Sequence, residues 1–278
     1  MHTITPTLTA QLAEAARALA GRRIAFLTGA GLSTDSGIPA YRGAGSTPRR
    51  APMTGQEFLG SAAAQRRYWL GAHLGWRSMR QSVPNAGHRA IATLEREGRG
   101  AGVITQNVDG LHLAAGSERV VELHGTLHTV FCLRCGQRFS RDAVAAQIEA
   151  RNPWVDVPDE ILLGPDGDVR PETTDGFVLP TCTVCGGAVK PDVVFFGEYV
   201  PRPRFADAEA LMRSAEALVV AGSSLVVNSG IRIIERARRR DLPLVIVNLE
   251  PTRADTWATA IVAASTSVVL PALLELLP

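Results

Sequence analysis

Short apolar runs that end in polar or glycine-rich turns recur along the chain and predict the strands of a sheet. Four runs carry this pattern, at residues 24–28, 103–105, 218–221 and 244–248. They are almost continuously apolar, as strands are when both faces of a sheet are covered, and stretches with helical spacing separate them. We therefore expect an α/β fold with a parallel sheet and helices on both of its faces.

Two other segments interrupt this alternation and predict a smaller inserted domain. At about residues 43–84, apolar side chains predict short helices: Phe58, Tyr68, Trp69, Leu70, Leu74 and Trp76. A polar stretch rich in proline and glycine, 164–180, predicts a long loop farther along the chain. Before the first strand, an amphipathic helix is predicted from Leu8, Leu12, Ala15, Ala16 and Leu19.

The four cysteines fall into two pairs, Cys132 with Cys135 and Cys182 with Cys185, and each pair is followed by glycine. Two residues between paired cysteines let one tight turn aim both thiolates at a single ion. Two disulfides or a redox pair are the alternatives, and they fit less well because the sequence shows no secretory signal. We expect one structural Zn²⁺. A closed four-cysteine site does not catalyse, so the chemistry must lie elsewhere.

The composition indicates an ordinary globular protein whose charges balance. The 278 residues include 29 basic and 27 acidic side chains, which gives a net charge of +2. This balance does not favour direct binding to nucleic acid or to an acidic membrane surface. No apolar run approaches the ~20 residues that span a bilayer. We expect a cytoplasmic protein, monomeric and without a membrane partner.

The first predicted strand leads into a turn, Gly29-Ala-Gly-Leu-Ser33, that suits a dinucleotide. Glycine lets the backbone approach a pyrophosphate, and a following helix directs its unpaired N–H groups at the anion. The G-x-G-x-x-G pattern is incomplete because Thr34 takes the place of the third glycine. For this segment alone, a simple tight turn is the competing interpretation.

Polar residues also follow the other predicted strands, at 106–109, 222–224 and 248–250. Taken singly, each group could cap a helix or form an Asx-turn. Ligands of open parallel sheets bind at the carboxyl ends of the strands, so we expect the four strand ends to form one crevice.

Five segments carry motifs that are highly specific in combination. They are 29–43 (GAGLSTDSGIPAYRG), 105–112 (TQNVDGLH), 123–125 (LHG), 190–198 (KPDVVFFGE) and 222–225 (GSSL). With the two cysteine pairs, they make the chain resemble the sirtuins, a family of NAD-dependent protein deacylases, over nearly its whole length. Residues 65–69, 164–169 and 251–253 are most similar to class II sirtuins.

The resemblance implies a division of the chain into domains. A Rossmann-like NAD-binding domain would comprise residues 1–43, 85–125 and 191–278. A helical module at 44–84 and a zinc-binding module at 126–190 would together form the smaller inserted domain.

The resemblance also implies a reaction, in which an acyl group passes from a lysine side chain to ADP-ribose and nicotinamide is released. His124 would be the general base, because its pKa normally lies near working pH, and Asn107 and Asp109 would hold the nicotinamide. The cofactor would meet Gly29, Ala30, Gly31, Ser33, Tyr41, Arg42, Gln106, Asn107, Asp109, Gly222, Ser223, Ser224, Asn248 and Glu250. The acylated lysine of a protein substrate would meet Val194, Phe195, Gly197 and Glu198.

Two positions depart from patterns of the family. Ala40 stands where many sirtuins have aspartate, which removes a hydrogen bond. Sirtuins specialised for succinyl or malonyl lysine carry a tyrosine and, three residues later, an arginine, whereas Tyr68 is followed at that offset by Gly71. Without a guanidinium a buried carboxylate is costly, so we expect neutral acyl groups, acetyl or longer. We also expect the 164–180 loop to reach the mouth of the acyl tunnel.

Other functions stay open at the level of sequence. The same cofactor site could send ADP-ribose to a protein side chain, as in a protein mono-ADP-ribosyltransferase. A catalytically idle, NAD-responsive zinc module that binds acylated partners is a second alternative, although a pure binder has no need of the base His124. A zinc-dependent dehydrogenase fits less well, because its catalytic metal needs ligands beyond the four cysteines.

Overall fold

The larger part of the molecule is a six-stranded parallel sheet. The computed structural model describes residues 5–41, 52–157 and 164–277. Its strands are β1 (Ile24–Thr28), β2 (Gly100–Thr105), β3 (Val120–Glu122), β4 (Gly125–Cys132), β5 (Arg138–Ser140), β6 (Val189–Val193), β7 (Ala217–Ala221), β8 (Leu244–Val247) and β9 (Ala260–Val262). The large sheet has the order β3-β2-β1-β7-β8-β9, and all of its neighbouring pairs are parallel.

Helices cover both faces of this sheet. The α-helices of the described segments are α1 (Pro6–Leu19), α2 (Gly55–Gly60), α3 (Ala62–Gln81), α4 (Ala86–Arg96), α5 (Leu111–Ala114), α6 (Arg141–Arg151), α7 (Arg202–Arg213), α8 (Asn228–Arg238) and α9 (Thr266–Leu276). Helices α1, α4 and α9 pack on one face, and α7 and α8 pack on the other. Strands β1, β2, β7 and β8 are buried along their whole length, which explains their continuous apolar sequences. The predicted α/β fold with a Rossmann-like sheet is confirmed.

Side-chain caps fix where helices begin. At α1, the Thr5 hydroxyl accepts a hydrogen bond from the N–H of Leu8. At α4, Asn85 and His88 form a reciprocal capping box: the Asn85 side chain accepts from the His88 N–H, and the His88 ring accepts from the Asn85 N–H. These bonds satisfy N–H groups that the first helical turn leaves unpaired. No helix in the described segments is both long and apolar enough to cross a membrane.

A second, three-stranded antiparallel sheet has the order β5-β4-β6. Its apolar residues share one core with α3 and α6, including Trp69, Val130 and Ile148. The sequence predicted short helices for the first insertion, but α3 runs for 20 residues. Strand β4 begins at residue 125 and β6 spans 189–193, so both strands cross the predicted domain limits at 125/126 and 190/191. The division into domains stays a prediction.

Candidate active site

The turns that follow β1, β7 and β8 touch one another and form a continuous floor. Gly29 donates its N–H to the carbonyl of Ala221 at 3.1 Å. Gly31 donates to Gly222 at 2.8 Å, and Gly222 donates to Val247 at 2.9 Å. A Cβ on Gly31 would lie 2.9 Å from the carbonyl oxygen of Gly222, and Gly222 has a φ of 65°. Glycine is therefore needed at 31 for space and at 222 for backbone conformation.

A buried polar cluster joins this floor to the turn after β2. The Ser33 hydroxyl donates to Oδ2 of Asp109 at 2.7 Å. The Asn107 amide donates to the Ser33 hydroxyl at 3.0 Å and to the carbonyl of Gly29 at 3.1 Å. All three polar side chains are buried. Their mutual bonds fix the orientation of each and leave the Ser33 hydroxyl engaged inside the protein.

Burial raises the pKa of the Asp109 carboxyl group above its ordinary value. Hydrogen bonds from the Leu111 N–H, 2.9 Å from Oδ1, and from Ser33 act in the opposite direction and favour the carboxylate. The result is a carboxyl group held rigidly in a dry place, where a hydrogen bond to a ligand amide is stronger than in water.

Gln106 lies in the turn after β2 and Ser223 in the turn after β7, and the two residues link these turns. The Ser223 hydroxyl donates to Oε1 of Gln106 at 2.6 Å and accepts from the N–H of Leu225 at 3.3 Å. The Gln106 N–H in turn donates to the carbonyl of Thr28 at 2.9 Å. Leu225 has a φ of 57°, an uncommon value for a branched residue, so the turn after β7 is held in a left-handed conformation by its surroundings.

His124 follows β3 and lies between two partners. Its Nδ1 is 3.1 Å from the carbonyl oxygen of Gln106, and its Nε2 is 2.8 Å from the hydroxyl of Ser229. A carbonyl oxygen only accepts, so Nδ1 carries the proton and Nε2 accepts from Ser229. Burial lowers the pKa of His124 below its ordinary value. The imidazole is therefore neutral at working pH, with its basic nitrogen oriented.

The sequence did not single out Ser229. Ser229 stands in the first turn of α8, 105 residues after His124. The residues around it in the sequence do not indicate that it contacts a histidine. A second histidine, His112, lies beneath the crevice: it is 2 % exposed, and its Nε2 is 2.9 Å from the Thr28 hydroxyl.

The segment after β6 runs beside His124 and carries an aromatic cluster. Val194 donates its N–H to the carbonyl of His124 at 2.8 Å. The Phe195 ring stacks on Phe58 with centroids 5.2 Å apart and meets the edge of Tyr68 at 5.1 Å. Because the tie to His124 fixes this backbone, the apolar cluster has a defined place next to the imidazole.

Glu198 is bonded within the fold. Its Oε2 accepts from the N–H of Phe195 at 2.9 Å and from the buried ammonium of Lys190 at 3.1 Å. A Cβ on Gly55 would lie 2.6 Å from the Glu198 carboxylate, so helix α2 packs closely against it. Gly197, with a φ of 82°, makes the turn that brings Glu198 back to Phe195. The geometry indicates that Glu198 holds this segment in shape.

One cleft of about 2410 Å³ joins these parts. Its lining includes every described residue that the sequence assigned to catalysis, cofactor or substrate: Gly29, Ala30, Gly31, Ser33, Tyr41, Gln106, Asn107, Asp109, His124, Val194, Phe195, Gly197, Glu198, Gly222, Ser223, Ser224, Asn248 and Glu250. Arg42 lies outside the described residues. At one end of the cleft, the Asn248 amide donates to the Glu250 carbonyl at 2.6 Å.

The four cysteines lie together, as predicted, and none of them lines the cleft. The Sγ atoms of Cys132 and Cys185 are 3.5 Å apart, and those of Cys135 and Cys182 are 3.7 Å apart. Four thiolates at ~2.3 Å from one tetrahedral Zn²⁺ would stand about 3.8 Å from each other. The donor set and its spacing therefore fit a single structural zinc.

Comparison with known proteins agrees with this geometry. The model of the Sir2 family matches residues 29–229. NAD-dependent protein deacetylase 1 of Streptomyces coelicolor is 49% identical over 93% of this chain and 87% of that protein. NAD-dependent protein deacylase Sirt4 of Drosophila melanogaster is 42% identical over 91% of this chain and 82% of that protein.

Solved structures show the same likeness in three dimensions. A Sir2 structure with a p53 peptide and NAD⁺ has a TM-score of 0.73 at 28% identity, and the match covers 98% of both chains. A structure described under the mechanism and regulation of Sir2 enzymes has a TM-score of 0.74 at 31% identity, covering 96% of this chain and 97% of the other. By sequence and by fold, this chain belongs to the Sir2 family.

Proposed function

We propose that this protein is an NAD-dependent protein-lysine deacylase. It removes an acyl group from a lysine side chain, transfers it to ADP-ribose and releases nicotinamide. The relatives named above act as NAD-dependent deacetylases or deacylases, and one Sir2 structure holds both NAD⁺ and a peptide. The acylated lysine of a protein is therefore the substrate, NAD the cofactor, and one structural zinc the metal.

The observation that carries the proposal is the state of His124. A general base must be neutral before it acts, and it must offer a free lone pair toward the reacting hydroxyl. Burial keeps His124 neutral, and the Gln106 carbonyl fixes the proton on Nδ1. Nε2 then takes a proton from a ribose hydroxyl once Ser229 yields its place, and a binding module has no use for such an arrangement.

NAD supplies a ribose carbon that becomes reactive when nicotinamide departs. The side chains of Asn107 and Asp109 orient the carboxamide of the leaving nicotinamide, since the oxygen atoms of each can accept a hydrogen bond from an amide N–H. Ala30, Gly31 and Ser224 offer backbone and side-chain groups to the phosphates on the glycine floor. Asn248, Glu250 and Gln106 meet the two riboses, and Tyr41 covers the cofactor from the segment that follows residue 40.

The substrate lysine enters beside β6. The Val194 carbonyl accepts from the lysine amide N–H, and the acyl chain extends along Phe195 toward Tyr68. Extended peptide binds through main-chain hydrogen bonds to an adjoining strand, which gives affinity with little preference for sequence. Cys132, Cys135, Cys182 and Cys185 hold the zinc that fixes the smaller sheet, and the metal takes no part in the chemistry.

Several finer assignments belong to the same proposal. The NAD-binding domain comprises 1–43, 85–125 and 191–278, with the helical module at 44–84 and the zinc module at 126–190. We place the protein among the class II sirtuins, in the cytoplasm and as a monomer. Its preferred acyl groups are neutral, since Gly71 provides no guanidinium.

The test is mass spectrometry of the protein incubated with NAD and acetyl-, octanoyl-, lipoyl- and succinyl-lysine peptides. From the wild type we expect acyl-ADP-ribose and free lysine peptide with the acetyl, octanoyl and lipoyl groups and little product with succinyl, and from His124→Ala we expect none. Calorimetric binding of NAD to both proteins is the control, because loss of product with retained NAD binding isolates the base. ADP-ribose attached to protein, or no consumption of NAD by the wild type, would overturn the proposal.

A further inference from the structure

The segment 164–171 brings acidic side chains to the acyl end of the cleft. Pro165, Asp166 and Asp168 line the cleft together with Tyr41 and Tyr68. Tyr68 is the residue whose ring meets Phe195 at 5.1 Å, so the carboxyl groups stand next to the aromatic cluster along which the acyl chain extends. The sequence predicted a loop here and assigned no chemistry to its side chains.

Helix α3 holds this segment in place through glycines. Val169 donates its N–H to the carbonyl of Gly71 at 3.0 Å. A Cβ on Gly71 would lie only 2.1 Å from the Val169 carbonyl oxygen, so the backbone of the segment occupies the space of a side chain. Gly167, with a φ of 67°, lies against the side chain of Met79, where a Cβ would be 2.7 Å from Cε. The position of Asp166 is therefore set by packing on a rigid helix.

The groups that face Asp166 come from three elements. Tyr41, from the segment after β1, donates a hydrogen bond to its carboxyl group, Asp168 adds a second carboxylate, and Tyr68 faces both from α3. Behind Tyr68, the guanidinium of Arg141 on α6 is buried over the rings of two tryptophans and donates to the carbonyl of Ala72 at 3.1 Å.

These surroundings set the charge of the pair. Burial raises the pKa of Asp166 to about 6, the hydrogen bond from Tyr41 opposes the rise, and the charge of Asp168 adds to it. Burial, with the nearby Asp166, also raises the pKa of Tyr41 well above its ordinary value, so its hydroxyl stays a donor. Asp166 is thus a carboxylate at pH 8 and becomes protonated as the pH falls through about 6.

We propose, on the basis of the deacylase function above, that Asp166 is a specificity-determining residue: it rejects acyl chains that end in a carboxylate and accepts chains that end in a hydrogen-bond donor such as a hydroxyl group. Because position 71 is glycine and not arginine, it provides no positive charge to attract an acidic acyl group. Asp166 adds repulsion, which is how a site discriminates actively against a competitor.

The size of the effect follows from charge at close range. Two carboxylates a few ångströms apart in a partly solvated site disfavour binding by about tenfold to a hundredfold relative to a neutral partner. A terminal hydroxyl on the acyl chain instead finds an acceptor in Asp166, one that Tyr41 leaves with unused lone pairs.

The experiment uses three lysine peptides with four-carbon acyl chains: butyryl, 4-hydroxybutyryl and succinyl. We measure kcat/KM with NAD at pH 8 for the wild type, for Asp166→Asn and for Asp175→Asn. Asp175→Asn is the matched control, because it removes the same charge from an exposed position on the same loop that does not line the cleft. We expect Asp166→Asn to raise the ratio of succinyl to butyryl turnover at least tenfold, and Asp175→Asn to leave it unchanged.

A second measurement follows the pH dependence of the same ratio. As the pH falls from 8 to 6, the wild-type ratio of succinyl to butyryl turnover should rise several-fold, because Asp166 becomes protonated while the succinyl group stays ionised. In Asp166→Asn the ratio should be flat. A wild-type ratio that is flat with pH, or one that Asp166→Asn leaves unchanged, overturns the inference. If butyryl and acetyl peptides are not deacylated at all, the proposed function itself has failed.

Discussion

Acid should destabilise this protein through histidines that folding buries in the neutral form. His88 is 0 % exposed, its Nδ1 accepts from the Asn85 N–H at 3.3 Å, and its Nε2 is buried without a hydrogen-bond partner. Burial, with the nearby charge of Arg89, lowers the pKa of His88 from 6.5 to about 4. Between pH 6.5 and pH 4, His88 is therefore protonated in the unfolded chain and neutral in the folded chain.

The sign and size follow from proton linkage. A folded-state pKa below the unfolded value gives stability that is fully present above pH 6.5 and is lost as the pH falls toward 4. The loss amounts to about 1.4 kcal/mol per pH unit in that window, or about 3 kcal/mol in total for one histidine. Between pH 7.5 and pH 5, the contribution of His88 falls by about 2 kcal/mol.

The perturbation is His88→Gln, whose amide oxygen can still accept from the Asn85 N–H but does not titrate. Urea unfolding, followed by circular dichroism at pH 7.5 and pH 5, gives the free energy of unfolding of both proteins. We expect the variant to have the lower free energy of unfolding at pH 7.5. The difference in this free energy between the wild type and the variant should be about 2 kcal/mol smaller at pH 5. Acid sensitivity of the cysteine cluster is common to both proteins and cancels in the difference.

A gap that is equal at both pH values would refute the reasoning, since it would mean that His88 titrates alike in the folded and unfolded chains. His73 offers an independent repeat in the smaller domain. It is 4 % exposed, and burial together with the positive charge of Arg141 lowers its pKa to about 4. His73→Gln should show the same narrowing.

Three further predictions concern α3, the zinc and the base. Gly71→Ala should lower the melting temperature by several degrees, because its Cβ would lie 2.1 Å from the Val169 carbonyl oxygen. Gly60→Ala is the control and should leave the melting temperature unchanged, because no atom lies within 4 Å of its Cβ. Equal melting temperatures for the two variants would contradict the packing argument. Chelation should release one zinc per chain, measured by metal analysis, and should melt the protein at a lower temperature; unchanged melting after release would argue against a structural metal. Ser229→Ala should shift the pH profile of kcat to higher pH while NAD binding persists, because Nε2 of His124 accepts the hydrogen bond from Ser229 only when it is unprotonated; an unchanged profile would remove Ser229 from the mechanism.

Pattern and spacing predicted the parts of this molecule whose signals are local. Strands β1, β7 and β8 were predictable because burial on both faces demands unbroken apolar runs. Strands β3 and β9 were not, because each has three residues at a sheet edge, and Val120–Glu122 is only half-buried. An apolar run of three residues is too short to distinguish such an edge strand from a loop by its sequence.

The candidate site divides in the same way. His124, Asn107 and Asp109 stand in contiguous motifs and were singled out through the resemblance of those motifs to the sirtuins. Their partners could not, since Ser33 and Asp109 are 76 residues apart and Ser229 is 105 residues from His124. Such pairs exist only after the sheet brings strand ends together, and no local period encodes them.

The close fit between Gly71 and Val169 constrains how this enzyme could acquire a new acyl preference. An arginine at position 71 is the obvious route to an acidic acyl group, yet the space for its side chain is filled by the backbone of a neighbouring loop. A single substitution would unseat that loop before it provided a guanidinium. Gaining a guanidinium here would require shortening or moving residues 164–171 in the same step, so no replacement at position 71 alone provides a positively charged partner for an acidic acyl group.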